Sequence, residues 1–448
     1  MRCILSLGRK GAMGNREKHS DIEEKIKTVV VLGASGTVGS LTGGLMAQNG
    51  LKVYFLSRTQ EGSERGLQKA IAQARSEMIA RNIVCGDYGH LLKQAVGEAD
   101  WVVEAVTEDV GIKQQIHEQV EARKKPHAIV SSTTSSLPLS ALVRGRSEDF
   151  KRRFLSTHFY NPPGRMLACE VTGTEDTDPD IVDFMRDFLA KRLRRVVIPV
   201  RNVAGFAGNR IAFLLFSRIT SLACEFGVEM MDYLIGPYTG RLMPPLATLD
   251  LVGLDIHKAI VDSLDANTND AMHNWLVVPG YISTMIQRNL LGNKTKGGFC
   301  KKLEGGKRVF FDPVSCDYIP AIEPHVAFVE QAKHFIRMGM YREAFEVILS
   351  AQGREAEVVK DILCAYVAYS YSLVGEVTDS RMGIEGIDKV MSYGFHWAPP
   401  SVIVEMLGGS SAAAGLLAER GLPVPQTLHN DLKSGLRITS PGKYFVAK

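Results

Sequence analysis

Thr28-Val29-Val30-Val31-Leu32-Gly33-Ala34-Ser35-Gly36-Thr37-Val38-Gly39 decides the fold. The β-branched run Thr28–Leu32 predicts a short strand that ends at Gly33. After the glycine turn the pattern is helical to about Asn49, then Gly50 and a second apolar run, Val53–Leu56. Strand, tight turn, helix and parallel strand within about 30 residues make one βαβ unit. Glycine at position 33 permits the tight turn. Gly36 and Gly39 let backbone N–H groups approach a pyrophosphate and let the helix pack closely on the strand. With Ser35, Thr37 and Val38 between them, these glycines form the expected cradle for a dinucleotide.

Working outward, apolar runs recur at Trp101–Val106, Ala128–Ser131 and Phe154–His158, separated by polar, helix-permissive segments. This alternation argues for a mainly parallel sheet with helices on both faces. Past about Val203 the texture changes, and Ile211–Phe226, Gln331–Leu349 and Ala356–Leu373 each read as one helix. Gly292–Pro313, rich in Gly and Lys, reads as loop and linker. The spacing Asp232-x11-Pro244-Pro245-x4-Asp250-x2-Gly253 recurs as Asp388-x10-Pro399-Pro400-x4-Glu405-x2-Gly408, an internal repeat of one helical unit. The expected fold is α/β: a Rossmann-like, doubly wound, mainly parallel sheet followed by two related all-α domains. The expected boundaries are a flexible extension over 1–26, the dinucleotide domain over 27–202, and a first helical domain over 203–300. A linker over 301–325, a second helical domain over 326–425 and a tail over 426–448 complete the chain.

The 448 residues are too many for one compact core. A net charge of +4, from 53 basic and 49 acidic residues without a dense basic block, argues against nucleic acid as a partner. The seven cysteines are scattered, odd in number and free of any Cys-x-x-Cys pair, so reduced thiols are expected and no metal site. No run approaches the ~18 apolar residues of a membrane span. The first 19 residues carry five Lys and Arg and a single acid, Glu17, but their apolar stretch is too short for a secretory core. The expected compartment is the cytoplasm.

The second strand ends at Ser57-Arg58, where NAD sites usually place an acid that accepts from the ribose hydroxyls. Ser and Arg can donate to a 2′-phosphate, so these residues favour NADP over NAD. The other reading of Arg58 is a solvated surface charge.

His158 closes another strand, followed by the turn Phe159-Tyr160-Asn161-Pro162-Pro163, with Glu170 twelve residues beyond it. A histidine beside a carboxylate that can return to it is a candidate acid–base pair. Upstream, Ser131-Ser132-Thr133-Thr134-Ser135-Ser136 sits at a strand end, on the edge where doubly wound folds bind ligands. Gly205-Phe206-Ala207-Gly208-Asn209-Arg210 opens the long helix of the second half.

Together these segments resemble the L-3-hydroxyacyl-CoA dehydrogenase family over about residues 28–410, in its longer form with two C-terminal helical domains. The family's Val-Val-Glu-Ala is matched by Val102–Ala105, its Asn-Thr-Ser-Ser-Leu by Thr133–Leu137, and its His-Phe-Phe-Asn-Pro by His158–Pro162, with the distant Glu at Glu170. Its Gly-Phe-x-x-Asn-Arg is matched by Gly205–Arg210, and a later Gly-x-Lys-x-x-x-Gly-Phe by Gly292, Lys294, Gly298 and Phe299. The resemblance implies hydride transfer between C3 of a 3-hydroxyacyl-CoA and a nicotinamide. His158 would act as acid and base, Glu170 would orient it, Ser135 would hold the reacting oxygen, and Asn209 would fix His158 or the substrate. Glu108 and Lys113 would line the cofactor cleft, although an acid at the start of a helix also complements the helix dipole.

This sequence departs from the family by one extra residue between its first two turn glycines, by Ser57 in place of an acid, and by Thr133 in place of Asn. A fused hydratase is not expected, and a homodimer is left open. Two other functions also stay open: a related dehydrogenase of a hydroxy or sugar acid without CoA, and a non-catalytic nucleotide-binding scaffold.

Overall fold

The computed structural model describes residues 25–430 and 443–447. The expected N-terminal extension lies outside them up to residue 24, as does the expected tail at 431–442 and 448. The chain divides into two compact units, Met1–Asn202 and Val203–Lys448.

The first unit runs β1 (Thr28–Leu32), α1 (Thr37–Gln48), β2 (Lys52–Ser57), α2 (Gln60–Ala74), β3 (Ile83–Asp87), α3 (Leu92–Glu98), β4 (Trp101–Glu104), α4 (Val110–Glu121) and β5 (Ile129–Ser132). It continues with β6 (Phe154–Phe159), β7 (Ala168–Gly173), α5 (Pro179–Lys191) and β8 (Val196–Pro199). The eight strands form one sheet in the order β3-β2-β1-β4-β5-β6-β7-β8. β1 to β6 are parallel, β7 runs antiparallel to β6, and β8 runs parallel to β7. Successive side chains of a strand face opposite ways. Val29, Val31, Phe55 and Trp101 therefore join the core on one face with Phe188 of α5, while Val30, Leu32, Tyr54 and Leu56 join the other with Phe150 and Phe154. The strand order reverses between β1 and β4, and open α/β sheets bind ligands beyond the carboxyl ends of strands at such a point.

The expected strands form with slightly different limits; Trp101–Val106, for example, ends at Glu104. β3, β7 and β8 were not legible. β3 is broken by Gly86, and β7 buries Glu170 and Thr172 where an apolar pattern would be sought.

The second unit contains α6 (Phe206–Phe226), α7 (Val228–Leu234), α8 (Pro245–Val252), α9 (Leu254–Asn267) and α10 (Gly280–Gln287). Further on lie α11 (Ala327–Arg337), α12 (Tyr341–Ser350), α13 (Arg354–Ser372), α14 (Glu385–Gly394) and α15 (Pro400–Met406). The internal repeat has a physical basis. Asp232 on α7 accepts the N–H groups of Leu246 and Ala247 at the start of α8, at 2.7 and 3.0 Å. In the second copy Asp388 on α14 accepts Ser401 N–H and its hydroxyl at the start of α15, at 3.1 and 2.6 Å. Pro245 and Pro400 open their helices, where a missing N–H costs nothing. Each copy therefore caps its Pro-Pro helix from the helix before it. The copies pack together inside one unit, α6 lying against α13 and α14.

Two expectations are corrected here. Gly292–Pro313 is not a linker. It folds with the residues after it into an antiparallel sheet of β9 (Cys300–Lys302), β10 (Arg308–Asp312) and β11 (Asp317–Pro320). Buried Phe299 and Phe311 anchor that sheet, and Asp250 accepts the N–H groups of Phe299 and Cys300 at 2.8 and 2.9 Å. Gly298 passes so close that a Cβ there would lie 2.0 Å from the Asp250 carboxylate. Likewise, Gln331–Leu349 is two helices, α11 and α12. Gly339, at φ 75°, breaks them, although the apolar periodicity runs on across the break.

Replacing Asp232 or Asp388 by Ala leaves helix-opening amides without acceptors, at a cost of about 1–3 kcal/mol each. By calorimetry each variant is expected to melt several degrees lower. Glu405→Ala, which removes only an exposed pairing with Arg342, should melt close to the native protein. Equal losses from all three would contradict the capping role.

Candidate active site

The turn after β1 is built for a close backbone approach. Gly33 has φ 83°, and a Cβ there would lie 2.3 Å from the Ala105 carbonyl oxygen, so only glycine fits. Its N–H reaches the Leu56 carbonyl at 3.0 Å and the Tyr88 hydroxyl at 2.9 Å. Gly36 donates back to Gly33 O at 3.0 Å and then caps α1 without a side chain or any acid in the first turn. The extra residue is thus absorbed by one turn of chain, and α1 still presents its opening amides, at Thr37, Val38 and Gly39, to an anion. Ser35 is half-buried, and its carbonyl accepts the Lys69 ammonium at 2.8 Å. These residues fit a pyrophosphate.

At the end of β2, Ser57 is buried and its hydroxyl donates to Thr59 O at 2.6 Å, so its proton is already committed. Arg58 is exposed and lies within electrostatic reach of Tyr88, the residue that meets Gly33.

Beneath this edge runs a chain of charge that the motifs did not reveal as such. Glu104, the last residue of β4, is fully buried. Its Oε1 accepts Lys113 Nζ at 2.7 Å and Val106 N–H at 2.8 Å, and its Oε2 accepts the Ser132 hydroxyl at 2.7 Å. His117 Nε2 stands 3.6 Å from Oε2. Burial pushes the Glu104 carboxyl up, but His117 and the Lys113 ammonium outweigh it and hold it at about 2. Lys113 also reaches Val106 O at 3.3 Å and Glu108 at 3.2 Å. Its three N–H bonds are occupied and it is fully buried, so a direct contact with a cofactor would need one of them to break. Glu108, partly exposed, accepts the Thr134 hydroxyl and, at 2.9 Å, the Ser136 hydroxyl. The charged string therefore fastens the two neighbours of Ser135. Ser135 itself is half-buried and its hydroxyl makes no hydrogen bond among the described residues. An acid closing a buried strand with a lysine nine residues on was the available signal.

His158 and Glu170 are directly opposed across the antiparallel β6–β7 pair. His158 Nδ1 and Glu170 Oε2 lie 2.8 Å apart, and the Tyr160 hydroxyl donates to the same oxygen at 2.7 Å. The carboxylate is fully buried, while the His158 side chain is 12% exposed. Nδ1 faces the carboxylate, and Nε2 lies on the other side of the ring. His158 also stands at the carboxyl end of β6, the same edge of the sheet as Gly33 and Ser135. The sequence-predicted residues of the first unit are thus gathered on one edge. Asn209 belongs to the second unit, where it is nearly buried in the first turn of α6. Beside it Arg210 pairs with Asp270 at 2.6 Å and donates to Ala204 O at 2.8 Å. Among the described residues no group of His, Cys, Asp or Glu is arranged to hold a metal ion, and no single helix is long and apolar enough to cross a membrane.

Comparison with known proteins identifies the family of the chain. Residues 28–203 match the NAD binding domain of 3-hydroxyacyl-CoA dehydrogenase, and residues 205–302 match the C-terminal domain of that family. A relative in Deinococcus radiodurans, described as a probable 3-hydroxyacyl-CoA dehydrogenase, is 32% identical over 63% of this chain and 85% of its own length. One in Bacillus subtilis with the same description is 28% identical over 92% of this chain. The chain spans 55% of the length of that Bacillus protein. Among solved structures, a 3-hydroxybutyryl-CoA dehydrogenase from Escherichia coli shares the fold with a TM-score of 0.66 at 17% identity, over 90% of this chain and 98% of that one.

The buried string predicts a pH signature. The Glu104 carboxyl is depressed, so its contribution to stability is present above the unfolded value near 4.5 and lost as pH falls through about 2. Glu104→Gln leaves Lys113 buried without its principal partner, at a cost of about 3–5 kcal/mol at neutral pH. In denaturant titrations from pH 7 down to 2, the difference between native and variant should shrink as the pH falls below 4.5. A constant difference would show that the carboxylate charge is not what matters.

Proposed function

Since the chain belongs to the 3-hydroxyacyl-CoA dehydrogenase family, we propose that it interconverts 3-hydroxyacyl-CoA and 3-ketoacyl-CoA with a nicotinamide cofactor. The observation that carries this reading is the imidazole–carboxylate pair at 2.8 Å on the edge of the sheet that also bears the glycine turn. When bound, the nicotinamide supplies or accepts the hydride at the substrate's C3. His158 handles the proton: Nε2 takes it from the hydroxyl as the alcohol becomes a ketone, and returns it in reduction. Glu170, across Nδ1, stabilises the imidazolium formed in oxidation, as a carboxylate does in a catalytic triad. Ser135 hydrogen-bonds the reacting oxygen, and its loop is kept in place by Glu108 and Lys113. Asn209 is assigned a share in this chemistry on its motif alone. The six described cysteines are free, which suits the reducing cytoplasm as the working compartment.

His158→Ala is expected to lower turnover by at least ~10²-fold, the range for a positioned acid–base group. Binding of the reduced cofactor should be unchanged. Acetoacetyl-CoA-dependent oxidation of the reduced nicotinamide measures the first and fluorescence titration the second. Near-normal turnover in a variant that melts like the native protein would remove His158 from the mechanism.

The finer reading of the cofactor is NADP. With the Ser57 hydroxyl committed to Thr59 O, this choice rests on Arg58, an exposed cation beside the strand end where the family carries an acid. One charge-assisted bond gives a preference of ~10–100-fold in kcat/KM, toward the lower end for an exposed group. Arg58→Ala should weaken NADPH and spare NADH, and added salt should narrow the gap. Side-by-side kinetics with the two cofactors decide the point; a native preference for NADH would leave Arg58 as a surface charge and the dehydrogenase reading intact.

A further inference from the structure

Asn209 stands on a turn that the second unit fastens from far along the sequence. The chain enters α6 through Gly205 and Phe206, at φ 76° and 45°. This is the left-handed region, which costs a bulky residue such as Phe206 steric strain and persists only where surrounding contacts impose it. Arg210, the residue after Asn209, supplies two of those contacts. Its Nε donates across the turn to Ala204 O at 2.8 Å, and its Nη1 donates to Asp270 Oδ2 at 2.6 Å. The turn also presses on α9, where a Cβ at position 205 would lie 2.3 Å from a Leu264 methyl.

Asp270 lies on the loop that follows α9, so no helix fixes its carboxylate. The oxygen that takes Arg210 also accepts the Tyr369 hydroxyl, at 3.0 Å. Tyr369 is buried on α13, the helix that precedes the capping Asp388 of the second copy as α6 precedes Asp232 of the first. Burial pushes its phenol well above 10, so it remains a donor at neutral pH. We propose that Tyr369 is a positioning residue: from the second copy of the repeat it holds Asp270, and through Arg210 it sets where Asn209 stands. Its kinetic consequence rests on the dehydrogenase reading, in which Asn209 fixes His158 or the substrate.

The link is stiff enough to carry a displacement. The Arg210 and Asp270 side chains are only 8% and 13% exposed, so water and salt screen their attraction little and the guanidinium follows the carboxylate. Asn209 and Arg210 are consecutive in the first turn of α6, so a shift of one moves the other. A misplacement of about 1 Å, even from a change far from the chemistry, can cost ~10²-fold in rate. Tyr366, three residues earlier on α13, provides the comparison. It is also buried, but its hydroxyl donates to Ala398 O at 2.8 Å and not to Asp270.

The test sets these two phenols side by side. Tyr369→Phe and Tyr366→Phe each keep a buried ring and lose one hydroxyl, and both are expected to lower the melting temperature modestly. Only Tyr369→Phe should lower kcat for acetoacetyl-CoA reduction, by roughly 3–30-fold, with the Kd of the reduced cofactor unchanged. In an Asn209→Ala background Tyr369→Phe should lower kcat no further, because the residue through which it acts is gone. A native kcat, an equal loss from Tyr366→Phe, or the same loss in both backgrounds overturns the inference. The placement is also read without turnover, from the side-chain amide resonances of Asn209 in protein labelled with heavy nitrogen on asparagine alone. Identified by their absence in Asn209→Ala, they should move in Tyr369→Phe and stay in Tyr366→Phe; movement in both or in neither overturns the inference. Movement in Tyr369→Phe alone, in a protein that does not turn over acetoacetyl-CoA, supports the placement and counts against the dehydrogenase reading only.

Discussion

A carboxylate taken entirely out of water must find its donors inside the protein, because an isolated buried charge costs far more than folding can supply. Glu104 and Glu170 are both fully buried, and both lie toward the edge of the sheet where β1 to β6 end and β7 begins. The local architecture follows from satisfying them. For Glu104 the donors are Lys113 and the Val106 amide, which together hold the start of α4, and Ser132, which holds the end of β5. Glu170 has His158 and Tyr160 among its partners, and reaching them requires β7 to turn back antiparallel to β6. The reversal in an otherwise parallel sheet is therefore what makes an imidazole and a carboxylate cross-strand neighbours.

These two carboxylates differ in what their partners can do. Glu104 faces a lysine whose N–H bonds are all occupied, so the pair is a fixed support whose consequence is felt at Glu108, Thr134 and Ser136 around Ser135. Glu170 faces an imidazole, a group that can gain or lose a proton near neutral pH. The same constraint thus produces a brace in one place and, on the proposed reading, an acid–base device in another, and the difference lies in the chemistry of the partner.

The second unit uses carboxylates for a third purpose. Asp232 and Asp388 cap equivalent helices in the two copies of the repeat, and each retains the Pro-Pro start that needs an external acceptor. The copies diverge one turn later. Asp250 is buried and holds the Phe299 and Cys300 amides, whereas its counterpart Glu405 pairs with Arg342 at the surface. Among the described residues the first copy alone carries such a sheet, that of β9 to β11, and Gly298 is glycine because that carboxylate leaves no room for a Cβ.

Local signals were legible wherever the chemistry is local. The β-branched run Thr28–Leu32, the glycine turn and the helix after it are short-range consequences of backbone sterics, and the βαβ unit they predict is the one that forms. The Asp…Pro-Pro repeat was equally visible, since spacing and proline are both read along the chain. What the tertiary structure decided is long-range. β7 could not be seen because two of its buried positions, Glu170 and Thr172, are polar and break the apolar run, and the partner of Glu170, His158, lies on another strand. Residues 292–313 read as a linker because the acceptor that orders residues 299 and 300, Asp250, lies some fifty residues earlier. Lys113 resembled a cofactor ligand, yet its burial and three acceptors are set by strands and turns that no spacing encodes. Tyr160 entered only as part of a turn, and it is the pairing of β6 with β7 that brings its hydroxyl to Glu170. A hydrogen bond depends on where two atoms meet in space, and the sequence lists only the atoms.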